Sequence, residues 1–264
     1  EQLLVRTPGN SQMDLLTFLL LLGKMQKHAK GYQMASILVI AAHPDDEILG
    51  CGGTMAAHSA NGDDVHILIM AEGLTSRSSS DCENSPLIIK AQLSELGACA
   101  EKAGQTVGAK SVELLGFPDN RMDSLTLLEI IKPIEAKIAA ISPEFVYTHQ
   151  PGCLNIDHQL THKATVTAAR SLPGSCIKTL LFFEGISSTE WQVPGGAAPF
   201  VPNWFVNIEH TLNKKIAALQ VYDAEMRQFP HPRSYEAVSH LAAWRGATAG
   251  YAAAEAFSLG RHRT

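Results

Sequence analysis

The chain is most constrained by an apolar run that ends abruptly. Residues 36–42, SILVIAA, lead directly into His43-Pro44-Asp45-Asp46-Glu47, and a glycine-rich segment, Gly50-Cys51-Gly52-Gly53, follows. An unbroken Ile/Leu/Val run suits a strand buried on both faces of a parallel sheet. Pro44 has no N–H to give to a ladder, so the strand stops there. One imidazole and three carboxylates are thereby set at the carboxyl end of a buried strand, where open α/β sheets bind ligands. Ionisable groups packed beside an apolar strand are costly unless a cation or a reaction uses them.

The remaining pattern alternates strand and helix. Further strands are predicted over 65–71, 111–117, 145–148 and 179–184, with a short one over 204–208. Helices are predicted over 47–60, 87–107, 125–141, 158–171, 211–225 and 234–257. No repeat and no interdomain linker interrupts them. The chain has 264 residues, of which 45% are hydrophobic, enough for one large α/β core. Such alternation predicts a doubly wound, mostly parallel sheet with helices on both faces.

A net charge of −5, with no basic tract, excludes nucleic acid as an expected partner. The cysteines at 51, 82, 99, 153 and 176 include no CxxC pair and read as reduced thiols of a cytoplasmic protein. Residues 1–33 do not match the rest. Their apolar stretch, LLTFLLLL over 15–22, is shorter than the roughly 20 residues a membrane span needs. It also lacks the basic flank and small-residue cleavage site of a signal peptide. Met34 has the look of a natural start, so 1–33 is expected to be an extension or leader, and 34–264 a single domain. The rival reading of 1–33 is a short amphipathic helix packed on the body or on a membrane surface.

His43 and Asp46 lie three apart across the strand-to-helix turn, and His158 opens a later helix. Two nitrogens and one carboxylate oxygen, with a fourth position left to water, are the ligand set of a catalytic zinc. Taken alone, His158 reads equally as a helix cap or a surface group. Asp45 and Asp46 cannot point the same way from an extended segment. One can therefore bind metal while its neighbour takes a proton from metal-activated water. The plainer reading of Asp45 is a helix N-cap. Glu47 suits the first turn of the helix through the dipole. The glycines do not fit a dinucleotide loop and are expected to serve close helix–sheet packing. His158 and His162 form a rival pair four apart, without the glutamate of HExxH. Arg77, in the Ser-rich loop 72–86, and Asp119 and Arg121, after the third strand of the body, are placed to bind sugar hydroxyls or an anion, or are simply solvated. Trp191, in the long loop 185–203, stacks on a sugar or packs under its loop. His231 between Pro230 and Pro232 is stiffly held, as a positioned histidine or as part of a plain turn.

These residues resemble the PIG-L/LmbE-like family of zinc-dependent N-acetyl-sugar deacetylases. The likeness is carried by AHPDDE (42–47), GCGGT (50–54) and NIDH (155–158). It is supported by AEGLTSR (71–77), GFPDNRMD (116–123), SSTEW (187–191) and EMRQFPHPRS (225–234), and so covers about 34–259. The resemblance implies a Rossmann-like fold, zinc on His43, Asp46 and His158, and Asp45 as general base. It implies removal of the acetyl group from an N-acetylglucosamine-type sugar or conjugate. Many members carry a histidine three residues before the last ligand; here that place is Asn155. Its amide can donate to an oxyanion but cannot protonate an amine. His149 or His231 then becomes the candidate acid. Some members bring a histidine from a neighbouring subunit into the site, which makes His231 and a trimer or hexamer worth testing. Asp157 is expected to orient a ligand imidazole. Three rivals stand beside this reading: hydrolysis of another N-acyl group on a glycosylated natural product, a non-catalytic metal- or sugar-binding module, and a nucleotide-dependent oxidoreductase. The last needs a glycine turn where HPDDE stands.

Overall fold

The computed structural model describes residues 4–6, 12–14, 34–77 and 86–264. It divides into two compact units, Glu1–Met34 and Ala35–Thr264. In the first, β1 (Leu4–Arg6) pairs antiparallel with β2 (Gln12–Asp14). The apolar stretch 15–22, with the leader and helix readings attached to it, lies outside the described residues.

The second unit holds a seven-stranded sheet. Its strands are β3 (Ser36–Ala41), β4 (Asp64–Ala71), β5 (Ser111–Phe117), β6 (Phe145–His149), β7 (Thr179–Phe183), β8 (Trp204–Asn207) and β9 (Ala254–His262). The order across the sheet is β5-β4-β3-β6-β7-β9-β8. The pairs among β3 to β7 are parallel; β9 runs antiparallel to both β7 and β8. The chain is thus the doubly wound α/β fold its pattern predicts. β3 is buried on both faces, as its composition requires. Ile37 and Val39 enter one core with residues of α1 (Asp46–Ala60), α2 (Pro86–Val107), α5 (Leu212–Val221) and α6 (Tyr235–Ala249). Leu38 and Ile40 enter the other, with α3 (Leu127–Ile141) and α4 (Ile156–Ala168). β3 lies between β4 and β6, so successive connections leave it in opposite directions. A crevice opens at the carboxyl ends of β3 and β6 as a result.

Two predicted helices are corrected. The segment 234–257 is helical only to Ala249; Gly250, at φ 80°, ends α6 and β9 begins at Ala254. Ala and Glu around 252–256 favour helix locally, but pairing with β7 and β8 on both sides overrides that preference. The segment 211–225 is α5 followed by a 3₁₀ turn, Asp223–Glu225.

The glycines of 50–53 do pack closely. A Cβ on Gly50 would run into the Phe183 ring of β7, and one on Gly53 would lie 2.8 Å from Ile208. They also permit a kink that the sequence does not announce. Cys51 has φ −149° and ψ 26° inside α1, which breaks the helical ladder. The Gly53 and Thr54 amides that this releases donate to Glu255, at 3.0 and 2.7 Å, and the Leu49 carbonyl accepts from Lys215 Nζ at 2.8 Å. Lys215 and Glu255 are themselves paired at 2.5 Å, each 5% exposed. One buried ion pair therefore satisfies the backbone groups that the kink orphans. Glu255→Ala strands a buried ammonium and two amides, and is expected to lower stability by about 3–5 kcal/mol. Denaturant unfolding with an unchanged midpoint would refute this role.

Candidate active site

The turn after β3 builds half of the site. Asp45 takes φ 108°, a conformation rare for a residue with a Cβ. Its carbonyl accepts from the Ile48 and Leu49 amides, so it holds the N-cap position of α1. Its side chain makes no cap hydrogen bond. The Asp45 amide instead donates to Glu47 Oε2 at 3.0 Å, and Glu47 Oε1 accepts from the Tyr222 hydroxyl at 2.7 Å. Glu47 is fully buried, and burial pushes its pKa up to about 8. It is a structural brace of the turn.

The strained turn sends the two aspartates in different directions. Asp46 Oδ2 lies 3.1 Å from His43 Nδ1 and 3.0 Å from His158 Nε2. His158 comes from the first turn of α4, which Asn155 caps. Asn155 Oδ1 accepts from the Asp157 and His158 amides at 2.8 and 3.3 Å. One of its amide hydrogens goes to Asn120 Oδ1 at 2.7 Å. The ligating atoms of His43, Asp46 and His158 all lie within 4.8 Å of one another. A tetrahedral ion with bonds of about 2.0–2.1 Å sets its ligand atoms about 3.3 Å apart, so the spacing and the donor set fit a divalent cation. Burial lowers the basicity of His43, but hydrogen bonds to Asp157 and Asp46 outweigh it and lift the pKa to about 9. For His158, burial lowers the basicity, but the Asp46 charge together with hydrogen bonds to Asp46 and Cys153 outweighs it and lifts the pKa to about 10. Those are the positions from which a bound cation displaces protons.

A second cluster, His43 with Asp119 and Asp157, reads differently. His43 Nε2 faces Asp157 Oδ2 at 3.1 Å and Asp119 Oδ1 at 3.4 Å. Asp157 already accepts from the Asn120 and Met122 amides, at 2.7 and 3.0 Å. Asp119 already accepts from the Ser76 amide and hydroxyl. These carboxylates orient the ring and leave Nδ1 to a metal. His149 stands behind the cluster. It is fully buried, its Nε2 accepts from the Ala42 amide at 2.9 Å, and burial holds its pKa well below the usual range. It is therefore a neutral packing group, unsuited to the acid role. His162 is not a partner of His158 either: its Nδ1 meets the His149 carbonyl at 2.9 Å.

Asp45 turns to a residue that the sequence did not single out. Arg233 Nη1 donates to Asp45 Oδ2 at 2.8 Å, while its Nε donates to Ser187 Oγ at 2.7 Å. Burial raises the Asp45 pKa and the Asp46 charge adds to that; Arg233 opposes both, and the result is about 7. The signal for Arg233 was indirect: a carboxylate set at a buried strand end needs a cation from elsewhere in the chain. The Arg233 amide donates to His231 Nδ1 at 3.0 Å. A neutral His231 ring that accepts there carries its hydrogen on Nε2. The half-exposed Trp191 meets His231 edge-on, with ring centroids 5.7 Å apart. His231, Trp191, Arg233 and Asp45 are thus gathered together. Exposed Arg121 reaches Thr75 Oγ1 at 3.3 Å. Arg77 falls in the 3₁₀ turn Thr75–Arg77, and its side chain, like residues 78–85, lies outside the described residues.

A cavity of about 460 Å³ is lined by Gln150, Thr189, Val193, Phe200 and the Glu184–Arg245 ion pair among others, and by none of His43, Asp45, Asp46 or His158.

The family model for PIG-L, the GlcNAc-PI de-N-acetylases, matches residues 38–169. This span runs from β3 through α4 and contains His43, Asp45, Asp46 and His158. The chain belongs to the PIG-L family. It is 22% identical over 191 residues to the probable N-acetyl-alpha-D-glucosaminyl L-malate deacetylase 2 of Bacillus anthracis, covering 72% of this chain and 80% of that one. Its fold superposes on the N,N'-diacetylchitobiose deacetylase of Pyrococcus horikoshii with a TM-score of 0.66 at 17% identity, over 93% and 94% of the two chains. The 4-carboxy-2-hydroxymuconate hydratase of Pseudomonas putida KT2440 gives 0.67 at 21% identity, over 88% and 98%. The fold is thus shared with a protein named for different chemistry, and the reaction must be argued from the PIG-L site residues. Zinc is expected to raise the melting temperature of the wild-type chain in a concentration-dependent way. His158→Ala abolishes that rise. A rise that survives in the variant contradicts the ligand set.

Proposed function

We propose that the protein is a zinc-dependent hydrolase that removes the acetyl group from an N-acetylglucosamine-type sugar or sugar conjugate. One observation carries the reading. Adjacent aspartates are held apart by the turn at Asp45, with Asp46 among two imidazoles and Asp45 on a guanidinium. Membership of the PIG-L family and the sugar-deacetylase names of its relatives support the substrate class. A cation held by His43, Asp46 and His158 supplies a Lewis acid for the acetyl carbonyl and lowers the pKa of water to near neutrality.

The chain's own groups do the rest. Asp45 takes a proton from the attacking water. The water oxygen bonds to the acetyl carbon, the C–N bond breaks, and acetate leaves. Arg233 holds the Asp45 carboxylate in place through this step. His231 accepts the Arg233 amide on Nδ1, so it offers a neutral Nε2–H to the developing oxyanion. The proton that Asp45 has taken goes on to the departing amine, so that one carboxylate performs both transfers. The remaining amide hydrogen of Asn155 is a further donor to negative charge. Trp191 offers a face on which a pyranose ring can stack, and exposed Arg121 can meet a sugar hydroxyl; Asp119 is buried against Ser76 and His43 and supports the ligand ring instead.

The test is acetate release from a panel of N-acetylglucosamine conjugates, with and without chelator. Chelator-sensitive acetate release is expected. Asp45→Asn is expected to lose about 10²–10⁴-fold in kcat while its zinc content, by elemental analysis, stays unchanged. Near-normal turnover in that variant defeats the base assignment. Arg233→Met should lower kcat with zinc content intact, and Arg233→Lys should recover part of it. Equal activity in all three forms would show that the ion pair has no role in turnover.

A further inference from the structure

We propose that Cys153 is a positioning residue for the ligand imidazole of His158, and that Thr189 polarises its sulfur. The inference rests on the cation site described above. Cys153 lies between β6 and α4 and is fully buried. Its Sγ is 3.1 Å from His158 Nδ1, on the other side of the ring from Nε2, which meets Asp46 at 3.0 Å. When Nε2 offers its lone pair to a metal, the ring hydrogen sits on Nδ1 and points at the sulfur.

The second neighbour of the sulfur fixes its role. Thr189 Oγ1 lies 3.8 Å from Sγ. That hydroxyl oxygen accepts from the Gly185 amide at 2.9 Å and from Gln150 Nε2 at 3.4 Å. Both of those groups are donors only, so the hydroxyl hydrogen is left for the sulfur. Donors converge on Cys153 from both sides, which makes Sγ the terminal acceptor of an oriented chain. Hydrogen bonds in such a chain polarise one another. The polarised sulfur draws on the Nδ1 hydrogen and increases electron density at Nε2. The ring has no freedom to turn away. It stacks on His149 with centroids 3.9 Å apart, and Gly185 lies so close that a Cβ there would be 3.2 Å from Nδ1. The two ligand imidazoles are therefore held by unlike partners, His43 by a carboxylate and His158 by a sulfur.

Zinc affinity and the visible absorption of the cobalt(II)-loaded protein test this in wild type, Cys153→Ala, Cys153→Ser, Thr189→Val and Cys153→Ala/Thr189→Val. Cys153→Ala is expected to weaken zinc binding about 10–100-fold and to shift the cobalt bands, with the serine variant recovering most of both. Thr189→Val is expected to move both readouts less, in the same direction, and to add nothing to Cys153→Ala, because it acts through the sulfur. Wild-type affinity and an unaltered cobalt spectrum in Cys153→Ala overturn the proposal. So does an effect of Thr189→Val that adds fully in the double variant. Should Cys153→Ala not fold, Thr189→Val with wild-type readouts overturns it alone. Failure of the wild-type chain to bind cobalt or zinc sinks the cation-site reading, and this inference with it.

Discussion

The site depends on one oxygen. Asp46 Oδ2 lies between an imidazole from the turn after β3 and an imidazole from the first turn of α4, and it also accepts the His43 amide at 3.0 Å. β3 and β6 pair in parallel register, Ile37 with Phe145 through Ile40 with Thr148, so both strands end at the same level. Each then leads into a helix whose first turn carries a proposed ligand, Asp46 in α1 and His158 in α4. A carboxylate that is 2% exposed is costly without positive charge beside it. Two raised imidazoles satisfy that demand as protonated groups, and a divalent cation satisfies it with better geometry. The fold and the chemistry therefore meet at the topological switch point of the sheet.

Adjacent residues of the same type are given opposite tasks by their surroundings. Asp46 is held well below the usual carboxylate range by His158, despite burial, whereas Asp45 is pushed up to about 7. Environments that drive two carboxyl groups apart separate a charged ligand from a proton carrier. The separation starts in the backbone, at the φ of 108°, and is limited by Arg233, 188 residues further along the chain, which draws the Asp45 pKa back down to about 7. The family match ends at residue 169, so the guanidinium, His231 and Trp191 come from the part of the chain beyond it. The proposed metal ligands belong to the matched half, and the surroundings of the proposed base to the other.

Much of this was legible in residues 36–47, because a buried strand, a proline and a run of charges leave few alternatives. His158 was legible through its resemblance to a family motif; its spacing alone allowed a cap. Asn155, which occupies the cap position, has the residue type that position favours. The Asp45–Arg233 pair was not legible, since no local pattern links residues so far apart. β9 was hidden by helix-favouring Ala and Glu, and only the neighbouring strands reveal it. The kink at Cys51 was hidden as well, because the Lys215–Glu255 pair that satisfies it is assembled from α5 and β9. Cys153 gave no pattern at all; a single thiol gains meaning only from what its sulfur touches.

The most direct measurement is anomalous diffraction at the zinc edge from crystals of the metal-loaded protein. The account predicts one strong peak within bonding distance of His43 Nδ1, Asp46 Oδ2 and His158 Nε2, with Asp45 outside the coordination sphere and still on Arg233. A peak between His43 Nε2, Asp119 and Asp157, or coordination by Asp45, would contradict it.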